Sequence, residues 1–405
     1  MKIEVAKPDL EAALQVVSIG AASSGSDLTT HFVFRHREES NMVEVLSNNN
    51  RIGCSMPIQA AKTTRSDDHS AFTVESWRLN KWISAIEDCV VTLEFKEGIV
   101  KATSPKGSVK FQSLDPEHFS YWDETLGEVE KGTTISAKRL QAALGHVKMF
   151  ISDKDTTQPK LASTEIRNSA LQATDKGALA VAVIEDLGES QLRIHGKDLS
   201  QVMSFLGQSG DETVELKEHD RCLFIVRHDG GVLSVGRPPH PFPDISIDMG
   251  ESDPHYWNLD KDEVVSAINS LVASASREDT RVNLNMKKEG IVSLTMTSAS
   301  GDKVTMNLET QKQTLPGKTD DDEPITIAGH GSLEDANPVP EQGFDLAYPY
   351  LLRLLGQWKS DIIRLGISPQ VDKETGKSKG GWVRCRETRG QDDYLTLLVW
   401  LKTTA

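Results

Sequence analysis

A pattern written three times along the 405 residues constrains this chain more than any single motif. Each copy holds two amphipathic helical stretches, followed by alternating apolar and polar runs of the kind that pair as antiparallel strands. The first helices of the copies fall at residues 8–17, 137–149 and 261–275, and the second at 76–88, 196–207 and 346–358. A unit recurring at long period, with a polar face on every helix, predicts a quasi-symmetric assembly of similar modules rather than one pocket. The expected fold class is therefore α+β, with three similar domains of two helices packed on antiparallel sheets.

The modules are expected at 1–128, 129–250 and 251–405, a comfortable size for independent cores at roughly 130 residues each. In the first, Ser76 is placed to cap a helix that buries Leu79, Trp82, Ile83 and Ile86 along one face. In the second, Ser136 precedes a helix with Leu140, Ala143, Leu144 and Val147 inward, and 164–174 reads as one strand. Residues 237–244 carry four prolines and read as a boundary linker. The third module has Val264, Ala267, Ile268 and Leu271 on its first helix face. It adds a long segment, 311–342, expected to be a mobile loop around Asp320-Asp321-Asp322-Glu323, and a Lys/Gly-rich hairpin tip at 370–381. An apolar strand is expected at 394–401.

Several function classes are disfavoured. No run approaches the ~20 apolar residues of a membrane span, so no membrane role is expected. The first residues read as a strand and lack the apolar core of a signal peptide. Cys54, Cys89, Cys222 and Cys385 are scattered, which fits buried thiols in a reducing compartment better than disulfides or zinc. Gly376-Lys377-Ser378 lacks the earlier glycine of a phosphate-binding loop, because position 371 is Val371. No Gly-x-Ser-x-Gly elbow surrounds Ser209, and the eleven histidines form no His-x-x-x-His pair. The acidic run lacks the alternate spacing of a calcium loop. No enzyme, cofactor or metal is expected.

Net charge is −15, which opposes nucleic acid on average, but local charge decides binding. The helical stretches and their flanks carry Arg78, Lys81, Lys138, Arg139, His146, Lys148, Lys197, Lys261, Arg277, Arg353 and Lys359. Any one of these is as well explained by solvation of a surface helix, and Glu11, Glu87, Asp88 and Asp198 interrupt the set. Taken together, basic helix faces in an acidic protein suit a surface that holds phosphates while the outside repels them.

Specific segments add a family resemblance over essentially the whole length. Ala173-Thr174-Asp175-Lys176-Gly177-Ala178-Leu179-Ala180 is similar to the Ala-Thr-Asp-Gly-His-Arg-Leu-Ala strand and turn of the bacterial sliding clamp, the β subunit of DNA polymerase III. Phe242-Pro243-Asp244 resembles that family's Phe-Pro-Asp, and 77–88 and the apolar C-terminal strand fall in register. The loss of the His-Arg pair and the added third-module segments are those of a divergent clamp such as a virus would encode. The resemblance implies a head-to-tail homodimeric ring of six domains, with helices lining the hole. The first module of one copy would meet the third of the other.

Size argues for two chains independently. A domain of ~130 residues has a radius of gyration near 14 Å, hence a solid radius of roughly 18 Å. Three such spheres in a ring leave a hole of about 3 Å radius, whereas six leave about 18 Å, enough for a duplex of roughly 10 Å radius.

The implied function is a processivity factor that encircles duplex DNA, slides, and tethers a replicative polymerase after a clamp loader has placed it. The loop 20–30 would also reach the duplex by this resemblance, although it contains no Arg or Lys. Partners of the family insert an apolar peptide into a cleft between the second and third modules. Here its wall would comprise Leu161, Thr174, Gly177, Leu179, Pro243, Ile247, Leu397, Leu398, Val399 and Leu401. The implied location is the cytoplasm, that of the host if the chain is viral. The alternative is a monomeric clamp-fold adaptor or decoy that binds replication proteins without encircling DNA.

Overall fold

The structure, a computed structural model, describes residues 1–25, 27–37, 42–60, 62–64, 70–129, 132–152, 157–188, 192–243, 253–274, 280–288, 290–298, 300–315, 325–332, 336, 338–371, 378–389 and 391–400. Among them are seven α-helices: α1 Lys7–Val17, α2 Ser76–Ala85, α3 Asp123–Gly127, α4 Ala137–Lys148, α5 Leu199–Gly207, α6 Lys261–Ser274 and α7 Tyr348–Leu355. The six longer ones match the six helices expected from periodicity, with shifted ends. The chain divides into two compact units. One holds residues 1–145, 162–169 and 185–242, and the other 146–161, 170–184 and 243–405. The stretch 129–250 contributes to both.

In the first unit a five-stranded antiparallel sheet runs Lys62–Thr64, Lys2–Ala6, Val90–Lys96, Ile99–Ser104, Gly107–Gln112. An eight-stranded sheet runs Thr133–Ser136, Thr213–Glu218, Cys222–Arg227, Val232–Gly236, Ile52–Gln59, Met42–Asn48, His31–His36, Ala71–Glu75. Ser163–Arg167 pairs with Leu192–His195. The helices α1 and α2 pack together on a core that includes Leu10, Leu14, Val17, Phe34, Phe72, Leu79 and Ile83. Helix α1 starts with Pro8 and Asp9 in its first turn, where a missing donor costs nothing and a negative charge suits the helix dipole.

In the second unit seven antiparallel strands follow the order Ala170–Thr174, Ala178–Val183, Asp392–Trp400, Ser378–Arg389, Ile362–Val371, His255–Asp260, His330–Ser332. A four-stranded sheet runs Lys303–Glu309, Ile291–Thr297, Arg281–Lys288, Phe344–Ala347, and α6 packs against α7. Val264, Ala267, Ile268 and Leu271 of α6 are buried, as their spacing requires.

Five local expectations change. Ser76 is the first helical residue of α2 and not its cap. Glu75 takes the cap position, and its carboxylate accepts from Trp77 Nε1 at 2.6 Å instead of closing the helix end. The same helix stops at Ala85, because Ile86 is extended and the acidic pair Glu87-Asp88 would oppose the negative helix end. Residues 163–174 form two strands, separated by Asn168 and Ser169 at φ of 50° and 61°. Such consecutive left-handed residues make a tight turn, and Asn is the signal for it. The segment 311–342 is not simply a loop. It contains Gln313–Leu315 paired with Ile325–Ile327, and His330–Ser332 paired with the His255–Asp260 strand. The acidic run Asp320–Glu323 lies outside the described residues, as does the 372–377 half of the 370–381 tip. Helix α7 begins at Tyr348 rather than 346, since Phe344–Ala347 is committed to the sheet beside Arg281–Lys288.

Candidate functional site

The second unit assembles a ladder from residues far apart in sequence. Thr174 pairs with Leu179, Leu179 with Leu397, and Leu397 with Arg384, so these four side chains share one sheet face. Val399, two residues beyond Leu397, shares that face and is half-exposed. Leu398 points the other way and is 2% exposed. It therefore belongs to the core and cannot wall the same groove as Leu397 and Val399.

The turn from Thr174 to Ala178 is held by its own side chains. Asp175 Oδ1 accepts from the backbone N–H of Gly177 at 3.0 Å and of Ala178 at 3.1 Å. Thr174 Oγ1 donates to the Ala178 carbonyl at 2.6 Å. Lys176 sits at φ 78°, so the side chain at the tip faces out of the turn and is exposed. Gly177 is required by space. A Cβ there would come within 2.7 Å of Tyr350 Oη, and its carbonyl accepts from Val399 N–H at 3.1 Å.

Beside this turn lies a cavity of about 800 Å³. Its walls include Met149, Ile151, Pro349 and Tyr350, with Asp175, Lys176 and Arg353 among its polar groups. Tyr350 stacks on Phe150 with centroids 6.5 Å apart, and Arg353 lies 5.7 Å from the Tyr350 ring centroid. Pro349 in the first turn of α7 and Tyr350 after it place the ring on the helix side facing the turn. On the sheet face beyond Leu397, Arg384 and Arg364 approach Asp253 at 3.5 and 3.8 Å. Burial pushes the Asp253 carboxyl up, against the pull of these two guanidiniums.

The structure brings together Thr174, Gly177, Leu179, Leu397 and Val399 of the expected cleft. Leu161 is buried, with its carbonyl accepting from Ser152 N–H at 3.0 Å, and Pro243 is half-buried. Ile247 and Leu401 lie outside the described residues. Met149, Ile151, Pro349 and Tyr350 were not anticipated. The Tyr348-Pro349-Tyr350 triplet at a helix start was the only available signal.

Among the basic residues, Arg78, Lys81, Lys138, Lys148, Lys197, Arg353 and Lys359 are exposed. Arg78 pairs with Glu75 at 3.4 Å, Lys138 with Asp211 at 3.0 Å, and Arg139 with Asp186. Lys261 is half-buried, 4.0 Å from Asp262. Arg277 lies outside the described residues. Lys359 follows α7 rather than decorating it, and its backbone N–H donates to Glu387 at 2.7 Å. Arg353, expected on a phosphate-facing surface, lines the cavity instead. His146 is a clear correction. It is 1% exposed, packed edge-on to Tyr394 at 5.2 Å, with Nε2 3.3 Å from the Leu395 carbonyl. Burial lowers its pKa to about 4, so it is neutral and carries no charge to offer a phosphate.

Among the described residues no cluster of His, Cys, Asp and Glu could hold a metal, and no helix is long and apolar enough to cross a membrane. The four cysteines are free, with Cys54 and Cys385 buried.

No protein-family profile and no curated protein sequence matches the chain. Solved structures do. The DNA polymerase III β subunit of Pseudomonas aeruginosa superposes with a TM-score of 0.78 at 12% identity, covering 99% of this chain and all of that one. The β subunit of Thermotoga maritima gives 0.73 at 15% identity with full coverage of both chains. A sliding clamp from Bartonella birtlesii, bound to griselimycin, also gives 0.73 at 15% identity with full coverage of both. The chain has the β sliding-clamp fold.

Among the described residues every sheet ends in edge strands, and two of these edges are longer than the rest. Gly107–Gln112 closes the five-stranded sheet of the first unit, and Lys303–Glu309 closes the four-stranded sheet of the second. Both expose most of their side chains, including Met306 at 37%.

Proposed function

We propose that this chain is a DNA sliding clamp, a processivity factor in which two copies close head to tail around duplex DNA and tether a replicative polymerase. The observation that carries the reading is the match to clamp structures over 99–100% of both chains. A likeness confined to one module would have suited an adaptor better.

Three features of the chain support it. The open strands Gly107–Gln112 and Lys303–Glu309 supply two different sheet edges, as a head-to-tail closure requires. The exposed cations Lys81, Lys148 and Lys197, next to the carboxylate-paired Arg78 and Lys138, give a weak, sequence-independent attraction to phosphates in a chain of net charge −15. The half-exposed Leu397 and Val399, backed by buried Leu179, are an apolar anchor for a partner's peptide, polymerase or loader. Three modules at 1–128, 129–250 and 251–405 give the six-domain ring its internal repeat.

Light scattering at micromolar protein, followed by retention on circular DNA, tests the reading. A mass near twice 44.6 kDa, with protein held on nicked circles and released on linearisation, is expected. A strict monomer at all concentrations overturns the ring and favours an adaptor.

A further inference from the structure

Trp77 is the most exposed large apolar side chain among the described residues, at 57%. It stands in the first turn of α2, and its ring is held rather than loose. Trp77 Nε1 donates to Glu75 Oε1 at 2.6 Å, and the other oxygen of that carboxylate lies 3.4 Å from Arg78 Nη1. One edge of the indole is therefore tied down while most of the ring stays open to solvent. The rest of the exposed α2 surface comprises Arg78, Lys81, Ser84 and Ala85, and no carboxylate occurs between Ser76 and Ala85. Lys81 lies one turn beyond Trp77 on the same side of the helix and makes no ion pair among the described residues. Arg78 is shared between Glu75 and the Phe111 ring, whose centroid is 5.4 Å from its guanidinium, so Lys81 is the cation left for an incoming phosphate.

An apolar protein surface and a planar ligand both cover an exposed indole. The core of a protein interface would surround it with further apolar groups and few charges. Here its exposed helix neighbours are two cations, a serine and an alanine. A positioned aromatic face beside an unpaired cation suits unpaired nucleotides, because the ring stacks on a base of any identity and the ammonium takes a neighbouring phosphate. We propose that Trp77 stacks on an unpaired base of single-stranded DNA, with Lys81 on an adjacent phosphate. Bases inside a duplex are stacked on one another and offer no free face. The site therefore responds to strand separation, at a primer–template junction or a frayed end, and not to sequence. The inference rests on the reading of this helix as DNA-facing, and adds the form of DNA that it prefers.

The test uses fluorescein-labelled oligothymidylate of about fifteen nucleotides and an abasic oligomer of the same length, which keeps the phosphates and lacks the bases. Binding to the full-length protein is read by anisotropy. Oligothymidylate is expected to bind about tenfold more tightly than the abasic oligomer. In Trp77→Ala the gap should close to about twofold or less, and Trp77→Tyr should restore most of it. Lys81→Gln should weaken both oligomers alike and reduce the salt dependence of each by about one phosphate contact. Because Trp77 is exposed, urea unfolding of Trp77→Ala should match the parent protein, which separates a lost contact from a folding defect. No binding of either oligomer, equal wild-type affinity for the two, or a gap that survives Trp77→Ala overturns the inference. A solution mass that falls in Trp77→Ala while the gap survives would assign the ring to a protein contact instead. Retention on circular DNA reports separately on the clamp reading, and its loss with the oligomer gap intact would refute encirclement alone.

Discussion

His146 sits where a charge would be costly, between the Tyr394 and Phe150 rings, and its lowered pKa has a direction that can be measured. The unfolded imidazole titrates near 6.5 and the folded one near 4, so the unfolded state binds the proton first. Stability from this residue is complete above pH 6.5, declines as pH falls through that value, and stops declining near pH 4. Between pH 7.5 and 5.0 the loss should be about 2 kcal/mol, absent in His146→Phe, when urea unfolding is compared for both proteins. Gly177 offers a second case. Ala at that position would drive a methyl into the Tyr350 ring, costing roughly 1–3 kcal/mol of stability and weakening binding of any peptide seated on Tyr350. At this scale the sequence was readable where strand alternation or resemblance placed a side chain, as at Thr174, Leu179 and Leu397. It was unreadable at His146 and Arg353. A helix pattern orders residues around one axis, while what covers each face depends on a strand 250 residues away and on the 174–178 turn.

Helices were legible because their apolar spacing survives whatever they pack on. Their ends were not, because ends are settled by neighbours: Phe344–Ala347 pairs in a sheet before α7 can begin, and Ile86 turns extended ahead of two acidic residues. Strand number was harder still across 163–174, where only Asn168 marks the break. The open edges carry the prediction proper to elements. Met306 is exposed on the Lys303–Glu309 edge, so Met306→Lys should leave the fold unchanged and shift the monomer–dimer balance toward monomer by at least tenfold, roughly 1.4 kcal/mol, in analytical ultracentrifugation. An unchanged dimer would place the contact on another edge.

For the molecule as a whole, two copies would carry a formal charge of −30, twice the −15 of one chain, around a polyanion. Such a ring cannot rely on attraction, so its hold on DNA should depend on closure. Raising salt from 50 to 500 mM should change the half-life on a closed circle by less than about threefold, whereas association with a linear duplex should vanish. A half-life that collapses with salt on both substrates would mean ordinary electrostatic binding. The six longer helices and the antiparallel strands were visible in the chain, but the exchange of one stretch between compact units was not. Residues 170–184 leave the surrounding middle stretch to join the unit built by the C-terminal part.

That exchange has a consequence for how the chain is made. Ala178–Val183 forms a central strand whose neighbour on one side is Asp392–Trp400, more than two hundred residues downstream. A ribosome adding roughly 5–20 residues per second leaves that apolar edge bare for at least ten seconds before its mate emerges. Nascent chains would need shielding during that interval, and chains cut short before residue 392 would never cover it. Frameshifts late in the reading frame should therefore yield inclusion bodies rather than shortened soluble protein, a failure set by synthesis order and not by the stability of the finished fold.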